Sequence, residues 1–324
     1  MTVIGCEYHM NPHPFSLRQL QYAIAVAETL SFHKAAEQCH VSQPSLSAQI
    51  AQLEEVLGVR LFERDRRRVL VTSAGRDLLD PVRRVIVQAN DLFEGAKRLR
   101  DPMAGTLRVG VIPTLSPYLL PSITTLLGQR FSRLQITWLE DKTEALLRSL
   151  EAGRLDAALV ALEAGIGKLE REVIAKDPFV LATPMGHPLG SRSSPAERRD
   201  LEGERVLLLD DGHCFRKQAL EYCATTDAHE LAFRATSLST LVQMVAGGAG
   251  VTLLPTLSLA TECRRANLCI RPFAEPAPYR TIGLAWRQSP HLAPAIRDLA
   301  AAMRDAYPTP GPTPCPTPDP TADD

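Results

Sequence analysis

The sequence predicts a small helical head closed by a β-wing, then one long helix, then an α/β domain. Three observations carry this reading. Apolar residues recur at helical spacing in short blocks up to Gly58, a heptad pattern runs from Leu78 to Leu99, and from Thr106 onward buried-strand runs alternate with amphipathic helices.

In the head, Leu17, Leu20, Ile24 and Ala27 predict the inward face of a first helix, and Ala35, Ala36 and Cys39 that of a second helix over Phe32 to Cys39. The run HVSQPSLSAQIAQLEEVLG predicts a third: Ser42 is a good N-cap, Pro44 suits the first turn, Leu46, Ile50, Leu53 and Leu57 repeat at helical spacing, and Gly58 ends it. Gln43, Ser45, Ser47 and Gln49 are expected on its outward face, where small or amide side chains suit base edges and phosphates. The basic turn FERDRRR, with Arg64, Arg66 and Arg67, leads into a short strand over Val69 to Thr72, as in the wing of a winged helix-turn-helix. A long helix follows from about Ala74 to Leu99. Leu78, Val85, Leu92 and Leu99 lie seven apart, as do Val82, Ala89 and Ala96, a seam that fits a partner helix.

Beyond DPMAG, TLRVGVIP, LQITWLE and LDAALVAL read as strands, and PYLLPSITTLLGQR and TEALLRSLEAG as helices, predicting a parallel sheet with helices on both faces. FVLAT, ERVLLLDD, TSLSTLVQMVAGG, GVTLLP, TIGLAWR and HLAPAIRDLAAAMRDA extend the pattern. The Pro-rich stretch after Tyr307, which contains Cys315, has no apolar content for a core and is expected to be disordered.

Composition narrows the function. The 324 residues are 45% hydrophobic and 23% charged, enough for more than one core. The longest apolar runs, such as Val206 to Leu209, fall far short of the roughly 20 residues of a spanning helix. No secretory pattern opens the chain, so a reducing cytoplasm is expected for the seven Cys; Met10 is a candidate start, which would leave Cys6 outside the protein. Net charge is -1 overall, yet Ser16 to Arg100 carries 13 Lys/Arg against 10 Asp/Glu, a basic head on a near-neutral body. No C-x2-C pair, P-loop, G-x-S-x-G or convincing G-x-G-x-x-G is present, so no metal, cofactor or hydrolytic chemistry is expected. A thiol peroxidase would leave the head unexplained.

The remaining chemistry lies in DDGHCFRKQALEYC, where Cys214 and Cys223 are nine residues apart. In a helix that separation is roughly 13 Å and two and a half turns. A disulfide requires Cα atoms within about 7 Å, so the pair can join only if the segment unwinds. Cys214 begins the predicted helix, where free N–H groups favour a thiolate, and His213 and Arg216 flank it. Two small buried hydrophobes would show the same spacing.

The head, LRQLQYAIAVAETLSFHKAAEQCHVSQPSLSAQIAQLEEVLGVRLFERDRRRVLVTSAG, resembles the winged helix-turn-helix of LysR-type transcriptional regulators, and the likeness continues to about Ala301. Within that family GHCFRKQALEYC, VIPTLSPYLLP and FRATSLSTLVQMVAGGAGVTLLP resemble its hydrogen-peroxide-sensing members. The resemblance implies a DNA-binding domain over 16–73, preceded by an extension over 1–15, and a linker and dimerisation helix over 74–103. It further implies a regulatory domain over 104–306, whose two α/β lobes resemble periplasmic binding proteins, and a tail over 307–324. Lobe I would span about 104–176 and 280–306, and lobe II about 177–279. The implied DNA contacts are Ser42, Gln43, Pro44, Ser45, Ser47, Gln49, Arg64, Arg66 and Arg67. Cys214 matches the peroxidatic cysteine and Cys223 the resolving one; Thr114, Thr143 and His213 match residues that hold peroxide, and Arg280, with Arg216, those that support the thiolate. The implied partners are promoter DNA, RNA polymerase, hydrogen peroxide, further copies of the chain as dimer or tetramer, and a thiol reductant such as glutaredoxin or glutathione. Lys217 stands where an acidic residue is common. A small organic ligand, with incidental cysteines, is the alternative signal.

Overall fold

The computed structural model describes residues 13–65, 68–98, 105–223 and 229–308. Its contacts divide the chain into two units at Glu94 and Gly95. The calls on residues 1–12, Cys6, Met10, Arg66, Arg67, Leu99 and Cys315 lie outside the described residues.

The first unit packs α1 (Leu17–Thr29), α2 (Phe32–Gln38) and α3 (Gln43–Leu57) around one core. Each helix begins on a serine whose hydroxyl accepts a backbone N–H: Ser16 from Gln19 at 3.2 Å, Ser31 from Lys34 at 3.3 Å, Ser42 from Ser45 at 3.4 Å. Gly58 ends α3 at φ 69°, in the left-handed region that suits glycine. Leu46, Ile50 and Leu53 are fully buried, as their spacing predicts. The expected face of α1 is corrected. Leu17 is 49% exposed, while Leu20, Tyr22, Ala23, Ala25 and Val26 are buried, because small alanines let the neighbouring helices approach that side.

The wing is an antiparallel hairpin, β1 (Phe62–Asp65) with β2 (Arg68–Val71), one residue earlier than expected. Glu54 of α3 fixes it, accepting from the Leu61 and Phe62 N–H groups at 2.8 and 3.1 Å. Thr72 leaves the strand to cap α4 (Ser73–Arg98), donating to the Arg60 carbonyl at 2.6 Å and accepting from Gly75 N–H at 2.8 Å.

The predicted seam of α4 divides. Val82 joins the head core and Leu78 packs on it, whereas Val85, Leu92 and Phe93 are 45%, 75% and 62% exposed. The apolar stripe left open is therefore shorter than the heptad count suggests.

In the second unit, β3 (Gly105–Val111), α5 (Ser116–Arg130), β4 (Leu134–Glu140), α6 (Thr143–Glu151) and β5 (Ala157–Ala161) alternate as expected. β3 pairs in parallel with both β4 and β5. The sheet is mixed rather than wholly parallel. β6 (Glu170–Pro184) runs antiparallel beside β11 (Tyr279–Trp286), which is antiparallel to β5. Alternating strand and helix patterns reveal the elements but not the direction in which a strand returns.

β6 is also the crossover. Residues up to Pro178 pair with β11, and Phe179 onward pairs with β9 (Thr252–Pro255) and β10 (Leu268–Pro272). Around this second half gather β7 (Arg205–Leu209), α7 (Cys214–Cys223), β8 (His229–Ala235), α8 (Leu238–Ala246) and α9 (Thr256–Glu262); α10 (Ala293–Asp305) packs back on the first half. Two separate apolar cores result, one on each side of the crossover. These are the two lobes. No described helix is long and apolar enough to cross a membrane.

A Cβ at Gly75 would collide with the Leu61 carbonyl oxygen and lie 2.9 Å from Val71 Cγ1. Gly75→Ala is therefore expected to lower head stability by about 1–3 kcal/mol, read as an earlier thermal transition of the isolated variant chain against wild type.

Candidate functional site

Ser42, Gln43, Pro44 and Ser45 are exposed, Ser47 and Gln49 are only half-exposed, and Ala48 and Ala51 are exposed beside Pro44. Pro44, Ser47, Ala48, Ala51 and Glu54 of α3, with Arg60 before the wing and Phe62 in it, line a groove. Alanines carry no hydrogen-bonding signal, so sequence reading passed over them. Arg64 lies in β1.

The second constellation is in the two-lobed unit. β7 ends at Leu209, the chain turns through Asp210, Asp211 and Gly212 at φ 87°, and α7 begins at Cys214. Phe215, Ala219 and Cys223 lie on the side of α7 packed into the lobe II core. Cys214, at the other end, packs against the lobe I core. The described cysteines, Cys39, Cys214, Cys223, Cys263 and Cys269, are all thiols.

Cys214 shares a cavity of about 230 Å³ with His213 and with Thr143 at the start of α6. Three polar atoms of residues lining it, Thr143 Oγ1, His213 Nε2 and Gln218 Oε1, are buried without a hydrogen-bond partner. Such atoms cost free energy unless something polar meets them. Burial, helped by the charge of Lys142 and opposed by Asp210, pushes the His213 pKa below its usual 6.5, which keeps the ring neutral near pH 7. Burial pushes the Cys223 thiol up to about 11, so that thiol stays protonated in its core.

Thr114 and Arg280 form a second buried group and are not among the residues lining this cavity. The Arg280 guanidinium is completely buried; it donates to Thr114 Oγ1 at 2.7 Å, to the Thr114 carbonyl at 3.1 Å and to Asp177 Oδ2 at 2.9 Å. Asp177 in turn accepts from Leu257 N–H at 2.9 Å. This network sits where β6 crosses between lobes. Arg216 is buried and turned into lobe II, donating to Asp211 Oδ1 at 3.0 Å and pairing with Glu230 at 2.8 Å. Lys217 is exposed and lies 3.8 Å from Glu221 one turn on.

Sequence reading missed the residues that tie α7 to lobe I. Lys142 Nζ donates to Asp210 Oδ2 at 3.1 Å and to the Asp211 carbonyl at 2.6 Å, and Gln218 Nε2 donates to Glu163 Oε2 at 3.2 Å. Pairs this far apart in sequence leave no periodicity or spacing to detect.

A head with a capped helix exposed beside a β-wing, a long helix, and two lobes that share a small cavity define a regulator that couples a sensed signal to DNA. A model of bacterial regulatory helix-turn-helix proteins of the lysR family matches residues 17–76, and one of the LysR substrate binding domain matches residues 100–308; the chain belongs to the LysR family of transcriptional regulators. It is similar to the DNA-binding transcriptional dual regulator OxyR of Escherichia coli K12, 42% identical over 290 residues that cover 89% of this chain and 95% of that one. A probable hydrogen peroxide-inducible genes activator of Streptomyces viridosporus is 43% identical over 294 residues, 90% and 94% of the two chains. Among solved structures, a full-length OxyR variant from Pseudomonas aeruginosa superposes with TM-score 0.74 at 34% identity, covering 90% of this chain and 95% of that chain.

Two outcomes follow from the geometry. Arg280→Leu leaves Asp177 as a buried unpaired charge and is expected to cost about 3–5 kcal/mol, measured by chemical denaturation. Because the folded His213 pKa is depressed, the stability linked to its neutral form is present above the usual value of 6.5 and lost as pH falls through it. Between about pH 8 and pH 5 the wild-type melting temperature should therefore drop more than that of His213→Asn.

Proposed function

We propose that this chain is a peroxide-responsive transcriptional regulator that switches through a reversible Cys214–Cys223 disulfide. The observation that carries the reading is the cavity at the start of α7, whose lining brings Cys214 together with three buried polar atoms without partners, on Thr143, His213 and Gln218. A small molecule with both donors and acceptors satisfies such a site, and hydrogen peroxide is one. The names of its relatives point the same way.

The Cys214 thiolate attacks one peroxide oxygen. The O–O bond breaks, hydroxide leaves and takes a proton to become water, and the sulfur becomes a sulfenic acid. The helix N-terminus favours negative charge on the attacking sulfur, and neutral His213 with Thr143 orients the peroxide. The Cys223 thiol then attacks that sulfur, the S–O bond breaks, and a second water leaves. Within an intact α7 the two residues stand roughly 13 Å apart along the axis, so this second step requires the helix to unwind. Until it does, the protonated Cys223 thiol is a poor target for peroxide, which explains why oxidation begins at Cys214.

In this reading residues 16–73 bind promoter DNA through Ser42, Gln43, Pro44, Ser45, Ser47 and Gln49, with Arg64, Arg66 and Arg67 on the wing phosphates. The helix over 74–103 joins copies into dimers and tetramers, and 104–306 senses peroxide, with lobe I over about 104–176 and 280–306. Thr114 and Arg280 support the site from the crossover; Arg216 does so only indirectly, by fixing the turn through Asp211. The regulator acts in the cytoplasm with RNA polymerase, is reset by a cellular thiol reductant, and is spent stoichiometrically rather than turning over as an enzyme.

A few equivalents of hydrogen peroxide added to the reduced protein should give one Cys214–Cys223 disulfide by peptide mass spectrometry. Cys223→Ser should stop at a sulfenic acid on Cys214, and Cys214→Ser should show neither product while still binding promoter DNA. Retention of both thiols in the wild type, with thermal stabilisation by an organic metabolite, would establish a ligand-sensing regulator instead.

A further inference from the structure

Resting on this reading of the two cysteines, we propose that Lys142 is a positioning residue: it latches the turn before Cys214 onto lobe I and thereby sets how readily oxidation proceeds to the disulfide. Lys142 immediately precedes α6 in lobe I, and its ammonium reaches across to two acceptors on the β7–α7 turn of lobe II, Asp210 Oδ2 at 3.1 Å and the Asp211 carbonyl at 2.6 Å. Its aliphatic stem lies along the same turn. A Cβ on Gly212 would come within 2.9 Å of Lys142 Cδ, so the glycine both makes the turn at φ 87° and clears the path of the lysine. Gly212, His213 and Cys214 are consecutive, so the latch holds the backbone that aims the sulfur.

The consequence follows from which cores the sulfurs occupy. Cys214 rests against lobe I, and Cys223 lies in lobe II at the far end of α7. For the Cys223 thiol to displace water from the Cys214 sulfenic acid, the Cys214 end must leave lobe I, and the turn that carries it must leave Lys142. The two bonds therefore stabilise the dithiol arrangement and are absent from the disulfide. Glu163 supports the same end of α7 through Gln218, and its other carboxylate oxygen is fixed by Thr281 N–H at 2.7 Å. Lys142 differs in holding the turn itself. Both its side chain and that of Asp210 are a little over one-third exposed, at 38% and 35%, so the latch is breakable rather than permanent.

The test uses the full chain in a glutathione buffer of fixed thiol–disulfide ratio, with the disulfide and dithiol forms quantified by alkylation and mass spectrometry. Lys142→Met should raise the disulfide-to-dithiol ratio about three- to tenfold, and Lys142→Arg should stay within about twofold of wild type. Asp210→Asn, which leaves the bond to the Asp211 carbonyl, should raise it by less than Lys142→Met. In a Cys223→Ser background, Lys142→Met should change the rate of sulfenic acid formation at Cys214 by less than it changes the disulfide-to-dithiol ratio, because the latch opposes chiefly the second step. An unchanged or lowered ratio in Lys142→Met overturns the proposal, as does slower sulfenylation with an unchanged ratio, which would make Lys142 an electrostatic activator. If the wild type forms no disulfide with peroxide, the underlying reading fails; if the wild type forms it and Lys142→Met behaves identically, only the latch fails.

Discussion

One helix with its two ends in two different apolar cores is the constraint on which the sensing unit depends. α7 is only ten residues long, yet Phe215, Ala219 and Cys223 pack into lobe II while Cys214 packs against lobe I. As long as the helix persists, the sulfurs are held apart by its own hydrogen-bonded rise. Any chemistry that joins them must exchange helix hydrogen bonds and apolar burial for one covalent bond. In the proposed switch, that exchange is how a local oxidation reaches the packing of both lobes.

Much of this architecture was legible because local rules write directly into sequence. The serine cap at Ser42, the left-handed stop at Gly58, and the Leu46, Ile50, Leu53 stripe each depend on residues within a turn or two. Where packing depends on small residues, legibility falls. The buried face of α1 runs through Ala23 and Ala25, which carry little hydrophobic weight, and Leu17, the obvious candidate, faces out. Strand direction was not legible either: β6 and β11 read as ordinary strands, and only pairing across the crossover makes the sheet mixed. β8, α9 and β10 went unread, being short elements with weak periodicity.

The candidate site shows the same division. His213 and Cys214 are neighbours in sequence, but Thr143 reaches the cavity from α6, and its meaning came only from resemblance. The groups that hold the lobes together were beyond reach: Lys142 and Asp210 are 68 residues apart, and Arg280 and Asp177 are 103 apart. An ion pair across such a distance has no signature in one sequence, since charged residues on solvated faces look the same.

Those two pairs also differ in kind, and the difference assigns them separate roles. Arg280 and Asp177 are fully buried, and every donor bond described for Arg280 goes to Thr114 or Asp177, so separating them would expose an unpaired charge at a cost of several kcal/mol, about 3–5 by analogy with other buried pairs. Lys142 and Asp210 sit at the rim, where water replaces a lost partner and solvent screening makes the pair cheap to break. A conformational change follows the cheaper break. In the proposed switch, therefore, the crossover at β6 stays as the fixed point of the unit and the start of α7 is the part that leaves. The cavity lies on the releasable side of that boundary, which is where a signal must act if a single oxidised sulfur is to move a helix without dismantling the fold.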